Sequence, residues 1–337
     1  MHRKTLLIEV NPAEPDQQVI NRAADVLRRG GLVAFPTETV YGLGADALNP
    51  DAVKKIFSAK HRPIDNPMIV HVAALEDLKF LTENISTESI PLMKQFWPGP
   101  LTLIFRKSGQ VADAVTGGQE TVAVRMPRNI IALALIRALG HPIAAPSANL
   151  SGRPSPTTGR HVLHDLKGKI DMILDGGPVE VGVESTVLDL SQHPPAILRP
   201  GAVTREELEP LIGKVVMAAN RKLLNRSPGT LHRHYSPRAR VTLVEIADQK
   251  TIDRLIARRA KKGSKVGILT RQTQSLHSSM DVVVRPMPQD LKVYAMRMFA
   301  VMRELDELGV DEMIVEKVEE NGIGAAIMDR LRRAASR

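Results

Sequence analysis

The chain has 337 residues, more than one ordinary domain, and its 43% hydrophobic and 25% charged residues supply true cores and exclude a disordered polymer. It contains no cysteine, which removes disulfides, thiolate nucleophiles, iron–sulfur clusters and cysteine zinc sites and predicts a reducing, cytoplasmic setting. No apolar run nears the roughly 18 residues of a membrane span, residues 1–10 are too short and too quickly charged for a signal peptide, and 3% aromatics with one Trp argue against stacking platforms for single-stranded bases.

Along the chain, short β-type runs alternate with segments of helical period, the pattern of an α/β protein. Residues 16–29 read as a helix, with Val19, Ile20, Ala23, Ala24 and Leu27 at helical spacing and Gly30-Gly31 ending the run. Residues 32–35 read as a buried strand. Phe35-Pro36-Thr37-Glu38-Thr39-Val40-Tyr41-Gly42-Leu43-Gly44 follows, with hydroxyls and a carboxylate leading into what reads as a double-glycine turn. That mixture suits a small polar ligand, or else a capped turn. Gly42 to Ala47 also fits the loose dinucleotide pattern. It fails on context: the next helix begins near Pro50, and Lys60, His61 and Arg62 stand where a ribose-binding acid belongs.

Residues 50–60 read as a helix, with Val53, Ile56 and Phe57 on its buried face. Lys60 and Arg62 at its end, stiffened by Pro63, present a point charge and a planar fork suited to a polyphosphate, or else two solvated charges. Strands are predicted over 68–72, 101–106, 121–125, 142–145, 172–174 and 185–190. Ala145-Pro146-Ser147-Ala148-Asn149 and the Ser/Thr-rich loop after it offer uncharged donors for phosphate oxygens, or form a simple turn. Glu184-Ser185-Thr186 and Arg199-Pro200-Gly201 add hydroxyls and another cation at strand ends, and Thr121 and Arg125 supply the same types on one further strand.

Charge divides the chain into three parts. Residues 1–213 carry a net −1. Residues 214–238 carry six basic and no acidic residues, and residues 239–337 carry a net +4. The middle segment reads as a basic linker, either a solvated tether or a strand touching phosphates. The third part reads as a small Rossmann-like unit: strand 240–246, helix 249–262, strands 265–270 and 282–284, helix 291–308, strand 312–315 and helix 324–334. The arginines of the last helix, Arg330, Arg332, Arg333 and Arg337, read as surface charge.

In order, Pro36 to Leu43, Lys60-x-Arg62-Pro63, Asn66-Pro67, Pro146-Ser147-Ala148-Asn149, Glu184-Ser185-Thr186, Arg199-Pro200-Gly201, Ser227-Pro228-Gly229 with His234-Tyr235, and Met328-Asp329-Arg330-Leu331 resemble the YrdC-like family. The resemblance covers essentially the whole chain and is to the long form, the threonylcarbamoyl-AMP synthases with an extra C-terminal domain. It implies a YrdC-like twisted mixed open sheet with helices over 1–213, the linker 214–238, and a smaller Rossmann-like α/β domain over 239–337. The implied reaction joins L-threonine, bicarbonate or CO2 and ATP, giving threonylcarbamoyl-adenylate and pyrophosphate for a downstream transferase that modifies tRNA.

By carry-over, Lys60, Arg62, Asn66, Ser147, Asn149 and Arg199 hold the nucleotide, with Lys60 and Arg62 the catalytic cations, Thr121 and Ser155 at its edges and Tyr235 from the linker. Thr39, His71, Arg125, Ala145 through its backbone, and Ser185 surround threonine. Mg2+ is expected with the triphosphate, without a dedicated protein metal site. The resemblance also leads us to expect the linker and second domain to limit water access to the labile product. The alternative reading, a non-catalytic double-stranded RNA-binding protein, rests only on the basic balance, which also leaves room for a weak RNA contact.

Overall fold

In this computed structural model the described residues are 4–230, 234–245, 249–260, 263–272 and 281–336. The chain divides into two compact units, one of Met1–Ser151 with Ser155–His232, the other of Gly152–Pro154 with Arg233–Arg337. The segment 214–238, read above as a linker, is therefore shared. A short strand and the helix Arg221–Leu224 belong to the first unit, while Tyr235 and Ser236 belong to the second. Arg233, Ile246, Lys261, Lys262 and Arg337 lie outside the described residues.

The first unit is built on β1 (Leu6–Glu9), β2 (Val33–Phe35), β3 (Gly42–Asp46), β4 (Ile69–His71), β5 (Leu101–Arg106), β6 (Thr121–Arg125), β7 (Ile143–Ala145), β8 (Met172–Asp175), β9 (Thr186–Asp189), β10 (Ala196–Arg199) and β11 (Val216–Met217). These form one mixed sheet in the order β1-β8-β2-β3-β7-β4-β6-β5-β9-β10-β11. Short strands buried along their length explain the near-continuous apolar runs, because helices cover the faces. The helix Gln17–Arg28 is capped by Asp16, which accepts from the Gln18 and Val19 amides. It turns Ile20, Ala23, Ala24 and Leu27 inward and packs on the helix Ile130–Leu139.

One helix positions two of the predicted cations. Asn49 caps Pro50–Lys60 at its start, with Pro50 in the first turn where its missing N–H costs nothing. At the other end His61 takes a left-handed conformation, φ 52°, which stops the helix and turns the chain so that Lys60 and Arg62 both point inward.

The predicted double-glycine turn is a strand. β3 pairs antiparallel with both β2 and β7, and neither Gly42 nor Gly44 has a positive φ. The glycines serve close packing: a Cβ on Gly44 would stand 2.8 Å from both Ile143 Cγ2 and the Phe35 ring. This also disposes of the dinucleotide pattern, which needs a turn opening a helix.

The second unit is a parallel sheet of β12 (Arg240–Val244), β13 (Val266–Thr270), β14 (Val282–Pro286) and β15 (Glu312–Glu316) in the order β12-β15-β13-β14. The helices Gln249–Ala260, Leu291–Glu307 and Gly324–Ala335 accompany it. Its last helix corrects one expectation. Arg330 is fully buried, ion-paired to Asp329 at 2.6 Å and set 5.1 Å from the Tyr235 ring centroid. Its position falls on the apolar stripe of the helix beside Ile327, Met328 and Leu331, so helical phase outweighs charge. No helix among the described residues is long and apolar enough to cross a membrane.

Gly44→Ala is expected to destabilise the first unit by about 1–3 kcal/mol through overpacking, read as a lower urea midpoint with an unchanged m-value.

Candidate active site

The polar residues singled out in the first unit lie at neighbouring loops and strand ends, most of them buried, with Thr121 and Ser147 half-buried. The segment 38–41 is their common support. The Glu38 and Thr39 carbonyls accept from the Val181 and Gly182 amides, the Tyr41 amide donates to Pro156, and the Tyr41 carbonyl accepts from Ala148. These bonds bring the 146–149, 155–157 and 181–185 loops against one stretch of backbone.

Arg125, at the end of β6, is the centre of one cluster. Its Nε donates to the Gly99 carbonyl at 3.1 Å and Nη1 to Thr39 Oγ1 at 2.9 Å. Nη2 lies 2.8 Å from Glu38 Oε1, an ion pair set off the line of its N–H bonds. Thr39 and Thr37 share a hydroxyl contact of 2.8 Å, and Thr37 donates to the Val40 carbonyl at 2.6 Å. β4 pairs parallel with β6 so that His71 stands beside Arg125 in register. The His71 ring meets Phe35 edge-on, and its Nδ1 makes no hydrogen bond. Burial first, and the Arg125 charge second, push the imidazole pKa from 6.5 down to about 3, so the ring is neutral at pH 7.

Ser185 lies at the same end of the sheet, since Thr186 pairs with Leu101 and Ser185 Oγ meets Thr102 Oγ1 at 2.7 Å. Arg199 turns its guanidinium onto this residue. Nε and Nη2 reach the Ser185 carbonyl, Nη2 also reaches its hydroxyl, and Nη1 donates to the Pro228 carbonyl, all at 3.1 Å. Ser155 donates to Glu184 next door.

The second cluster lies toward the start of β4. Lys60 is 1% exposed, and its ammonium donates to the carbonyls of Ser147 and Asn149. Ser147 Oγ donates to Asn149 Oδ1 at 2.6 Å, and Asn149 Nδ2 to the Leu150 carbonyl at 2.8 Å. Arg62 braces the next turn through the Asn66 and Pro67 carbonyls, at 3.3 and 2.7 Å. The solvated reading of Lys60 and Arg62 therefore fails, for both are buried. Ala145 pairs with Ile69, and Thr121 lies two residues before Ala123, which also pairs with Ile69.

Arg199 and Ser155, expected at the nucleotide, are hydrogen-bonded to Ser185 and to its neighbour Glu184. Tyr235 lies in the second unit, 3% exposed, with a left-handed φ of 61° and its ring stacked on Phe299 at 5.6 Å. Sequence reasoning did not single out Glu38, Thr102 or Glu184 as site residues, although Glu38 and Glu184 lie inside the quoted motifs. A carboxylate between two threonines, directly after an apolar strand, was the available signal.

The comparisons with known proteins establish the family. Residues 25–201 match the Sua5–YciO–YrdC family model, whose description is "Telomere recombination". Residues 203–336 match the model of the "Threonylcarbamoyl-AMP synthase, C-terminal domain". A threonylcarbamoyl-AMP synthase of Pyrococcus abyssi is 46% identical over 338 residues, 98% of this chain and 98% of its own. The chain belongs to the long-form YrdC-like family. A second threonylcarbamoyl-AMP synthase, from Bacillus subtilis, is 47% identical and covers 94% of this chain and 92% of its own. The crystal structure of P. abyssi Sua5 complexed with L-threonine is similar with a TM-score of 0.91 at 45% identity, over 98% of this chain and 97% of that one. E. coli YciO covers 59% of this chain and 96% of its own, with a TM-score of 0.53 at 27% identity. The relatives named as synthases make this an enzyme family of nucleotidyltransferase type.

Two outcomes follow for the buried cations and the histidine. Lys60→Ala leaves two inward carbonyls without their donor and is expected to cost about 1–3 kcal/mol, with faster amide exchange at Ser147–Asn149. Unfolded His71 binds a proton near pH 6.5 that the folded residue refuses, so its stability contribution is complete above pH 6.5 and lost as the pH falls toward 3. Denaturant titrations across that window should show a loss of up to about 1.4 kcal/mol per pH unit that His71→Phe removes.

Proposed function

We propose that this chain makes threonylcarbamoyl-AMP and pyrophosphate from L-threonine, bicarbonate or CO2, and ATP, as the activated donor for threonylcarbamoyladenosine in tRNA. The observation that carries the reading is the full-length likeness to threonylcarbamoyl-AMP synthases, 98% of both chains for the P. abyssi protein. The buried Arg125 cluster supports it as well: a cation, two threonine hydroxyls and a neutral imidazole suit a small hydroxy amino acid.

In this reading Arg125 meets the threonine carboxylate, with Thr39, His71, Ser185 and the Ala145 backbone around the rest of the molecule. The bound ammonium first gives up a proton to solvent, and the free amine then adds to CO2, forming a carbon–nitrogen bond and a carbamate and releasing a second proton. A carbamate oxygen then attacks the α-phosphorus of ATP, and pyrophosphate leaves. Lys60 and Arg62 supply positive charge beside the phosphates, while Asn66, Ser147 and Asn149 offer directed donors, Arg199 adds a further cation, and Thr121 and Ser155 bound the nucleotide. Such a step depends on positioning and charge stabilisation, which is why a site of this composition needs no triad.

Mg2+ comes with ATP in this proposal and neutralises phosphate charge. Among the described residues no three His, Asp or Glu side chains gather as a metal cage. The hydroxyl and carboxylate oxygens of Ser155 and Glu184 are the donor class that a partly hydrated Mg2+ accepts. The product is consumed by a threonylcarbamoyl transferase acting on tRNA, and a cytoplasmic place of work completes the proposal.

Purified full-length protein with MgATP should release pyrophosphate only when both L-threonine and bicarbonate are present. Pyrophosphate release that persists unchanged without threonine would overturn the reading.

A further inference from the structure

One carboxylate in the Arg125 cluster has no task in the reaction as written. The Glu38 side chain is 0% exposed, with Oε1 2.8 Å from Arg125 Nη2, yet neither Oε1 nor Oε2 accepts a hydrogen bond. Buried carboxylates ordinarily gather several donors, so two unfilled oxygens on one such group call for a donor from elsewhere. The backbone of Glu38 is in order, its carbonyl accepting from the Val181 amide at 2.8 Å, so the vacancy belongs to the side chain alone. His71 supplies no charge here, and its Nδ1 is also without a hydrogen bond. The Arg125 cluster thus holds one positive and one negative group in contact.

We infer that Glu38 is the counter-charge for the α-ammonium group of the bound amino acid, and that it makes this pocket select a zwitterion over a simple hydroxy acid. The inference rests on the threonine reading of the same site and adds the basis of its selectivity. A lone buried arginine would hold any small carboxylate of fitting shape. With Glu38 present the pocket is neutral before binding. A hydroxy acid would bring in one uncompensated negative charge and set it against Glu38, a costly arrangement away from water. A zwitterion brings both signs: its carboxylate faces Arg125, and its ammonium faces Glu38 and donates to the carboxylate oxygens that accept no hydrogen bond within the chain. Selectivity then comes from a repulsive element as much as from an attractive one.

The test is calorimetric titration of the full-length protein with L-threonine and with 2,3-dihydroxybutanoate, which keeps the carbon skeleton and carboxylate but carries a hydroxyl in place of the amine. The unaltered protein is expected to prefer threonine by at least about tenfold, and Glu38→Gln to reduce that preference to about threefold or less. A preference unchanged in Glu38→Gln overturns the inference and leaves the threonine reading standing. Failure of the unaltered protein to bind threonine overturns the threonine reading itself. Glu38→Gln leaves Arg125 without its partner, so its folding is checked by circular dichroism. Should it not fold, Glu38→Asp carries the test: it keeps the charge but withdraws it by one methylene, and a threonine affinity unchanged in that variant overturns the inference equally.

Discussion

The guanidinium of Arg125 is a full positive charge with 3% of its side chain exposed, and the first unit is arranged to tolerate it. Removing an ion from water costs several kcal/mol, offset here only because two separate segments supply partners. Gly99 comes from the loop before β5, while Thr39 and Glu38 come from the loop after β2. Glu38 and Thr39 are in turn fixed by backbone bonds to the 181–182 loop, and Gly99 by its amide donating to the Met126 carbonyl. The charge therefore holds the loops in place, and the loops make the charge affordable. Loss of either member of such a pair commonly costs about 3–5 kcal/mol, as much as truncating one large core side chain to alanine.

That arrangement shapes the rest of the site. β4 is only three residues long, and its register with β6 and β7 sets His71 and Arg125 at one end and the partners of Ile69 at the other. The Lys60–Ser147–Asn149 cluster gathers by that second end, held by a buried ammonium and two backbone carbonyls. A charge-paired cluster and a cationic one, separated by one short strand, suit the small zwitterion and the polyphosphate of the proposed reaction, because each reactant finds its own counter-charges. The buried imidazole of His71 is kept neutral at pH 7.

Much of the fold was legible along the chain. The helix Pro50–Lys60 and the strands Leu101–Arg106 and Thr121–Arg125 agree with the sequence reading residue for residue, because proline at a helix start and short runs of apolar and β-branched residues are strong local signals. β3 was misread because a glycine reports backbone freedom without saying what uses it. Here Phe35 and Ile143 occupy the space a side chain would need. Arg330 was misread for the complementary reason: charge suggested the surface, while its phase on the helix set it inside beside Tyr235.

The sequence by itself determined the α/β class, the order of the motifs and the family to which they belong, since these depend on local period and on residue identity at short spacing. Tertiary structure alone decided that Glu38 and Arg125, 87 positions apart, would become one buried pair, that Arg199 would turn onto Ser185, and that Lys60 would serve two carbonyls near residue 148. The physical reason is that partners for a buried charge are chosen by strand register and loop packing, and neither leaves a mark on the spacing of residues along the chain.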